Sequence, residues 1–191
     1  MHFNSYAPCD NYPKNLNRQQ IIAPIGVITD FFSVDFIEGH SSKLANWRYY
    51  VVHDKAYKDE RHGPGSLLFT YDLHIGLLEA AYLLHHDYYN LVINSLHPNE
   101  QQLAEERMRL RDFPTNLKLS ELLNPYKALK NIFKNLSLQQ YRDYLHEWLY
   151  AALYIRGGSD ELTTKEIDRV YKNILKLYSA TWLIYQREVV K

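Results

Sequence analysis

The sequence predicts an all-α protein, a helical bundle built from two tandem, pseudo-symmetric repeat units and a connector helix, and three observations carry that reading. Apolar residues recur at intervals of three and four rather than two, the period of a helix face. The stretch opening at Asn15 returns at Asn116 without a gap for about forty residues, which is the signature of an internal duplication. Helix start signals fall at matching places in both copies.

In the aligned copies Asn15-Leu16, Pro24, Phe32, Leu44, Trp47, Tyr49 and Asp59-Glu60 answer to Asn116-Leu117, Pro125, Phe133, Leu145, Trp148, Tyr150 and Asp160-Glu161. One residue is then dropped. After the shift Tyr71, Leu77, Ala80 and Leu83 face Tyr171, Leu177, Ala180 and Leu183. The expected units are residues 15–86 and 116–186 of a single helical domain, 15–191, with 87–115 as connector and 1–14 as a polar tail that packs loosely. At 191 residues and 46% hydrophobic content the chain is long enough for one well-buried core.

Each unit begins with a short lead-in helix, where Pro24 or Pro125 suits the first turn because its missing N–H would have no partner. A tryptophan-bearing helix follows. Its stripe is Leu138, Tyr141, Leu145, Trp148 and Ala152 in the second copy and Ile37, Leu44, Trp47 and Val51 in the first. Gly157-Gly158 is the expected stop in one copy and Gly63-Pro64-Gly65-Ser66 does the same work in the other. The tyrosine-bearing helix then carries Leu68, Tyr71, Ile75, Leu78 and Tyr82, or Val170, Ile174, Leu177, Thr181 and Ile184. Thr163 with Glu166 has capping-box spacing at its start, and the helix is expected to run to about Gln186. Such wide apolar faces belong to helices enclosed by several neighbours. In the connector, residues 99–112 read as a charged helix with a thin seam of Leu103, Met108 and Leu110. Trp47 and Trp148, with Tyr71 and Tyr171, are the expected structural core.

Lys plus Arg equals Asp plus Glu, so no global field draws nucleic acid or an anionic membrane, and neither is an expected partner. One cysteine, Cys9, forms no internal disulfide, and the N-terminus has no basic start or apolar run of a signal peptide. The apolar stretches near 77–84 and 148–155 read as too short to cross a bilayer. A soluble, cytoplasmic protein without a cofactor is the expectation.

Histidines crowd the first copy: His40, His53, His62, His74, His85, His86 and His97 lie in or just after it, whereas the second has His146. A metal site would be sought first at His85, His86, Asp143 and His146. Yet His40, His53, His74 and His85 face Tyr141, Tyr154, Ile174 and Tyr185, which reads them as amphipathic fillers. No pair of Glu-x-x-His motifs, glycine-rich phosphate loop, Gly-x-Ser-x-Gly elbow or Cys-x-x-Cys pair occurs. Seventeen tyrosines on a helical scaffold offer large, rigid interface area with a polar tip. The leading expectation is therefore a non-catalytic interaction or regulatory module with a protein partner.

Two resemblances stand beside this. The string RYYVVH places Arg48 and His53 at the Arg-x4-His spacing of the small all-helical ribonuclease domains called HEPN, and resembles that motif in these two residues. In that family the pair lies in a cleft, usually at a dimer interface, and acts on the RNA backbone; the resemblance implies a metal-independent nuclease with Arg48 and His53 as catalytic residues. Tyr49 stands where the family commonly has a polar residue, and the second-copy counterparts are Leu149 and Tyr154. The pattern NPYKALKNIF followed by a helix with EWL is similar to uncharacterised all-helical proteins of the Bacteroidetes, a resemblance that implies no activity.

Overall fold

The computed structural model describes residues 11–53, 55–59, 63–91, 98–110, 112–154 and 162–190. Cys9, Glu60, His62, His97, Gly157-Gly158 and Asp160-Glu161 lie outside the described residues, as does most of the expected tail. What is described is helical and contains no strand. The helices are α1 Arg18–Ile22, α2 Pro24–Val34, α3 Ile37–Val52, α4 Gly65–Leu91, α5 Glu100–Arg109, α6 Leu119–Leu123, α7 Pro125–Asn135, α8 Leu138–Leu153 and α9 Thr164–Glu188.

Local chemistry sets most of these boundaries. Pro24 and Pro125 occupy the first turns of α2 and α7. Reciprocal capping boxes start α1 (Asn17 and Gln20), α5 (Asn99 and Gln102), α8 (Ser137 and Gln140) and α9 (Thr163 and Glu166). Helix α3 departs from this chemistry. Its N-cap is Phe36, and the side chain of Asp35 takes the Phe36 N–H at 2.9 Å and pairs with Lys43 at 2.9 Å. Asp35 can lie there because residue 39 is glycine: a Cβ on Gly39 would collide with the Asp35 carboxylate. Gly63 has φ +60°, a left-handed turn that leads the chain into α4 rather than stopping α3, which ends at Val52 with His53 as its cap. In the second copy the helix ends at Leu153, ahead of the expected glycine stop.

The long helices α4 and α9 form the middle of the bundle. Helices α2 and α7 pack on one side of them and α3 and α8 on the other, with α3 lying chiefly on α9 and α8 on α4. The tryptophan helices α3 and α8 also pack on each other. Their stripes are sealed: Leu138, Tyr141, Leu145, Trp148 and Ala152 are all fully buried, as are Leu44 and Trp47. Enclosure from several sides explains why α9 buries every residue from Leu177 through Ile184, far more than a single seam.

Several expected core positions differ. Leu68 is exposed and Leu67 takes its place. Tyr71 and Tyr171 are half-buried at the core's edge, where a phenol can keep contact with water. In α5, Leu103 is buried and Leu110 packs on the core, but Met108 is 83% exposed. The chain before Leu16 is not loose where it is described, since Pro13 is buried and the backbone at Tyr12, Lys14 and Asn15 is bonded to buried side chains. The apolar run is also longer than expected: Gly65–His86 is long and apolar enough to cross a membrane, and over half of its apolar stretch is buried in the bundle.

Trp47 and Trp148 meet edge to face where α3 and α8 cross, ring centroids 5.7 Å apart at 89°. The Trp47 indole N–H donates to the Trp148 carbonyl at 3.1 Å. Trp148→Ala is expected to cost about 3–5 kcal/mol in a denaturant titration, because neighbours cannot fill so large a void. Trp47→Ala should cost a similar amount, since it removes an equally large buried side chain.

Candidate functional site

Arg48 and His53 sit near the C-terminal end of α3 but face different partners. Arg48 turns to α9, donating to Asp168 Oδ1 from Nε at 3.0 Å and Nη2 at 2.5 Å, with its guanidinium 5.2 Å over the Tyr171 ring. His53 is exposed and folds back on its own helix: its Nδ1–H donates to the Tyr49 carbonyl at 2.8 Å, and its ring lies 4.3 Å from that of Tyr49. The hydrogen bond fixes the tautomer and leaves Nε2 as the acceptor. Asp168 was not legible as a partner, being far along the chain with no local signal linking it to Arg48.

The residues named for a metal do not form one cluster. His85 stacks on Phe133 with centroids 6.1 Å apart, and His86 lies 5.2 Å from Tyr82. On α8, Asp143 accepts from the Gln139 amide at 2.7 Å and His146 packs on Tyr150 at 4.7 Å. Among the described residues no group of three or more His, Cys, Asp or Glu side chains is placed to hold a metal ion.

Other polar residues are inside the bundle. His40 is buried, stacks on Phe31 and bonds its carbonyl at 2.9 Å. Its second-copy counterpart Tyr141 reaches the Ile132 carbonyl at 3.2 Å, the corresponding acceptor. His74 donates from Nδ1 to the Thr70 carbonyl at 2.5 Å and accepts from the Tyr178 hydroxyl at Nε2. Burial drives the His74 pKa down to about 4 and pushes Tyr178 well above its ordinary range, so both stay neutral. Glu79, fully buried, accepts from Arg142 Nε at 3.0 Å and Nη2 at 2.5 Å and from the backbone N–H groups of Lys14 and Asn15. Arg142 also donates to the Tyr12 carbonyl at 2.8 Å. These networks satisfy one another inside the core and present no open site.

Two features do face outward. The first is a run of aromatic side chains where α3 and α8 end and α4 begins. Tyr49 touches Tyr50 at 5.6 Å, Tyr50 touches Tyr57 at 5.1 Å, and the Tyr57 N–H donates to the Ala152 carbonyl at 2.7 Å. That bond brings the end of α8 alongside, where Tyr150 and Tyr154 stack 5.8 Å apart. Tyr49, Tyr150 and Tyr154 are 42%, 50% and 63% exposed, and Leu68 and Phe69 on the first turns of α4 are also uncovered.

The second is a cleft of about 230 Å³ between three helices. Phe36 and Glu38 come from the start of α3, and Trp182 and Gln186 from α9. Arg109, Leu110 and Asp112, at and beyond the end of α5, complete the wall. Arg187 of α9 fixes α5 in position by a fork onto Glu106, 3.0 and 2.7 Å, and donates to the Leu122 carbonyl at 2.9 Å.

The buried histidines make stability depend on pH with a definite sign. A native pKa held below 6.5 means that the unfolded chain binds the proton first, so the His74 contribution is complete above pH 6.5 and is lost as pH falls towards 4. The loss amounts to about 3 kcal/mol at most. Burial lowers His40 and His85 in the same direction. Denaturant titrations between pH 7 and 4 should show wild type losing more stability than His74→Gln; parallel curves would remove His74 as the cause.

Searches against protein-family models, curated proteins and solved structures find no match for this chain.

Proposed function

We propose that this chain is a non-catalytic helical interaction module of the cytoplasm, built from two tandem, pseudo-symmetric units, whose partner is another protein. The observation that carries the reading is the exposed aromatic side chains at the ends of both tryptophan helices, Tyr49 on α3 and Tyr150 with Tyr154 at the end of α8, which the Tyr57 N–H to Ala152 carbonyl bond ties together. Tyrosine buries large area at small entropic cost, which is why it is enriched among the residues that dominate binding energy. Duplication is supported by the matched lengths of α1, α2 and α3 with α6, α7 and α8, 5, 11 and 16 residues in each set. It is supported too by the equivalent bonds of His40 and Tyr141 to the preceding helix. In both copies the tryptophan helix ends in exposed aromatic residues, so the docking surface is drawn from both.

One observation favours the nuclease as a second reading. The Tyr49 carbonyl takes the Nδ1–H of the exposed His53, so Nε2 is the ring nitrogen left to meet a substrate. Against it, Asp168 occupies the guanidinium that a phosphate would need.

A photo-crosslinking residue placed at position 154 of the full chain should give a discrete adduct with one protein in extract of the source cell, whereas the same residue at Met108 should not. Tyr49→Ala/Tyr150→Ala combined with crosslinking from 154 should abolish the adduct while changing stability by less than about 1 kcal/mol. Equal labelling from 108 and 154, or none, would sink the docking surface. Metal-independent RNA cleavage lost in both Arg48→Ala and His53→Ala, with folding unchanged, would replace this reading with the nuclease.

A further inference from the structure

We infer that the cleft between α3, α5 and α9 is a binding site for a small aromatic zwitterion, of the chemical class of the aromatic amino acids. This goes beyond the docking surface and does not depend on it. The volume, about 230 Å³, lies below the roughly 300–1,000 Å³ of pockets for drug-sized ligands, which suits a ligand of one or two rings.

The lining specifies more than size. Trp182, Phe36 and Leu110 provide apolar and aromatic surface. Around them stand one guanidinium, Arg109, and two carboxylates, Glu38 and Asp112. Among the described residues none of these three charged side chains pairs with another or with any other side chain. Opposite charges that share a cleft without closing on each other are matched by a ligand that carries both: a carboxylate to Arg109 and an ammonium to Glu38 or Asp112. Trp182 is only 7% exposed and is held at 4.9 Å edge to face against Phe32, so the aromatic wall it gives the cleft is fixed by the core behind it. Glu38 in the first turn of α3 and Arg109 in the last turn of α5 are also well placed for their helix dipoles, which accounts for the sign of each charge but not for their sharing one cleft.

The local departures from the duplicated pattern converge on this cleft. Where α8 starts with the Ser137–Gln140 capping box, α3 starts with Phe36 and Gly39, which puts a 64% exposed aromatic ring at the cleft's edge. Trp182 stands where the first copy has Tyr82, and α5, which supplies the remaining wall, has no counterpart at all.

Isothermal titration of the full chain with L-phenylalanine and L-tryptophan should give dissociation constants of about 0.1–1 mM, within reach of ligands this small. Phenylpropionate, phenethylamine and L-leucine, each lacking one element, should bind about tenfold more weakly or not at all. The decisive pattern is charge-specific. Arg109→Ala should weaken phenylalanine about tenfold and leave phenethylamine unaffected, whereas Glu38→Gln combined with Asp112→Asn should weaken phenylalanine and phenethylamine but not phenylpropionate. All three substitutions are at or just beyond the ends of helices, so each variant should lose no more than the small contribution of a helix-end charge and unfold within a few degrees of wild type. No heat from any probe up to about 10 mM, or equal affinity for all probes and variants, would overturn the site. Crosslinking from position 154 reads the docking surface separately and is expected to be unchanged in both variants.

Discussion

The contact on which the bundle depends is the crossing of α3 and α8 at Trp47 and Trp148. Both indoles are wholly buried and meet edge to face, the arrangement that sets the positive ring edge against the negative ring face. A flat side chain of this size admits few packings, so the crossing point and the orientation of both helices are fixed together. Fixing α3 against α8 then dictates that α3 lies on α9 and α8 on α4, each tryptophan helix covering the long helix of the other half. The core is accordingly continuous and runs from Leu16 to Ile184.

The crossing is not symmetric in its hydrogen bonds. The Trp47 N–H donates to the Trp148 carbonyl, while the Trp148 N–H is buried without an acceptor. Polar groups elsewhere in the core are just as unequal. Glu79 faces Ser179 across the internal comparison, Lys176 faces Gly76, and His74 with Tyr178 faces Ile174 with Leu78. Each buried charge nonetheless has a complete set of partners. Glu79 has Arg142 and two backbone donors, and Glu121 has Lys176 at 2.5 Å, Asn131 at 2.9 Å and the Lys118 N–H at 3.0 Å. Such pairs add little net stability against apolar substitutes of similar shape, but breaking one partner away is expensive. Their clearest structural effect is directional: the Glu79 pair ties the chain at Tyr12 to Asn15 onto α4 and α8, and the Glu121 pair ties α6 onto α7 and α9.

Helix type and most of the helix order are legible because they follow from local rules; the five-residue helices α1 and α6, ahead of Pro24 and Pro125, are not, being too short to show a period. Pro24 and Pro125, the Thr163–Glu166 box and the three-and-four spacing around Trp148 act within a few residues and were read correctly. The site was legible only in part. That His40 is a packing residue followed from its counterpart Tyr141, and both make the same kind of bond to the preceding helix. By contrast, Asp168 as the partner of Arg48, Arg142 as the partner of Glu79, and the cleft under Phe36 join residues far apart in sequence. Periodicity carries no information about such pairs. Leu68 and Met108 were misplaced for a related reason: an apolar residue within a wide stripe can fall on either rim, and only the neighbouring helix decides which rim is covered.

The paired tryptophans, which match in the two aligned stretches of sequence, are explained by packing. A residue that breaks local helix chemistry without a gain in packing needs another cause. Phe36 is such a residue, an exposed aromatic ring at an N-cap where Ser137 forms a full capping box in the other copy. An N-cap of this kind forgoes about 1 kcal/mol relative to serine. Gly39 and Asp35 together restore part of that by another route, the Asp35 carboxylate accepting from the Phe36 N–H. The compensation keeps the helix start intact while leaving the aromatic ring free beside Trp182, so the substitution at the cap and the construction of the cleft are one structural change.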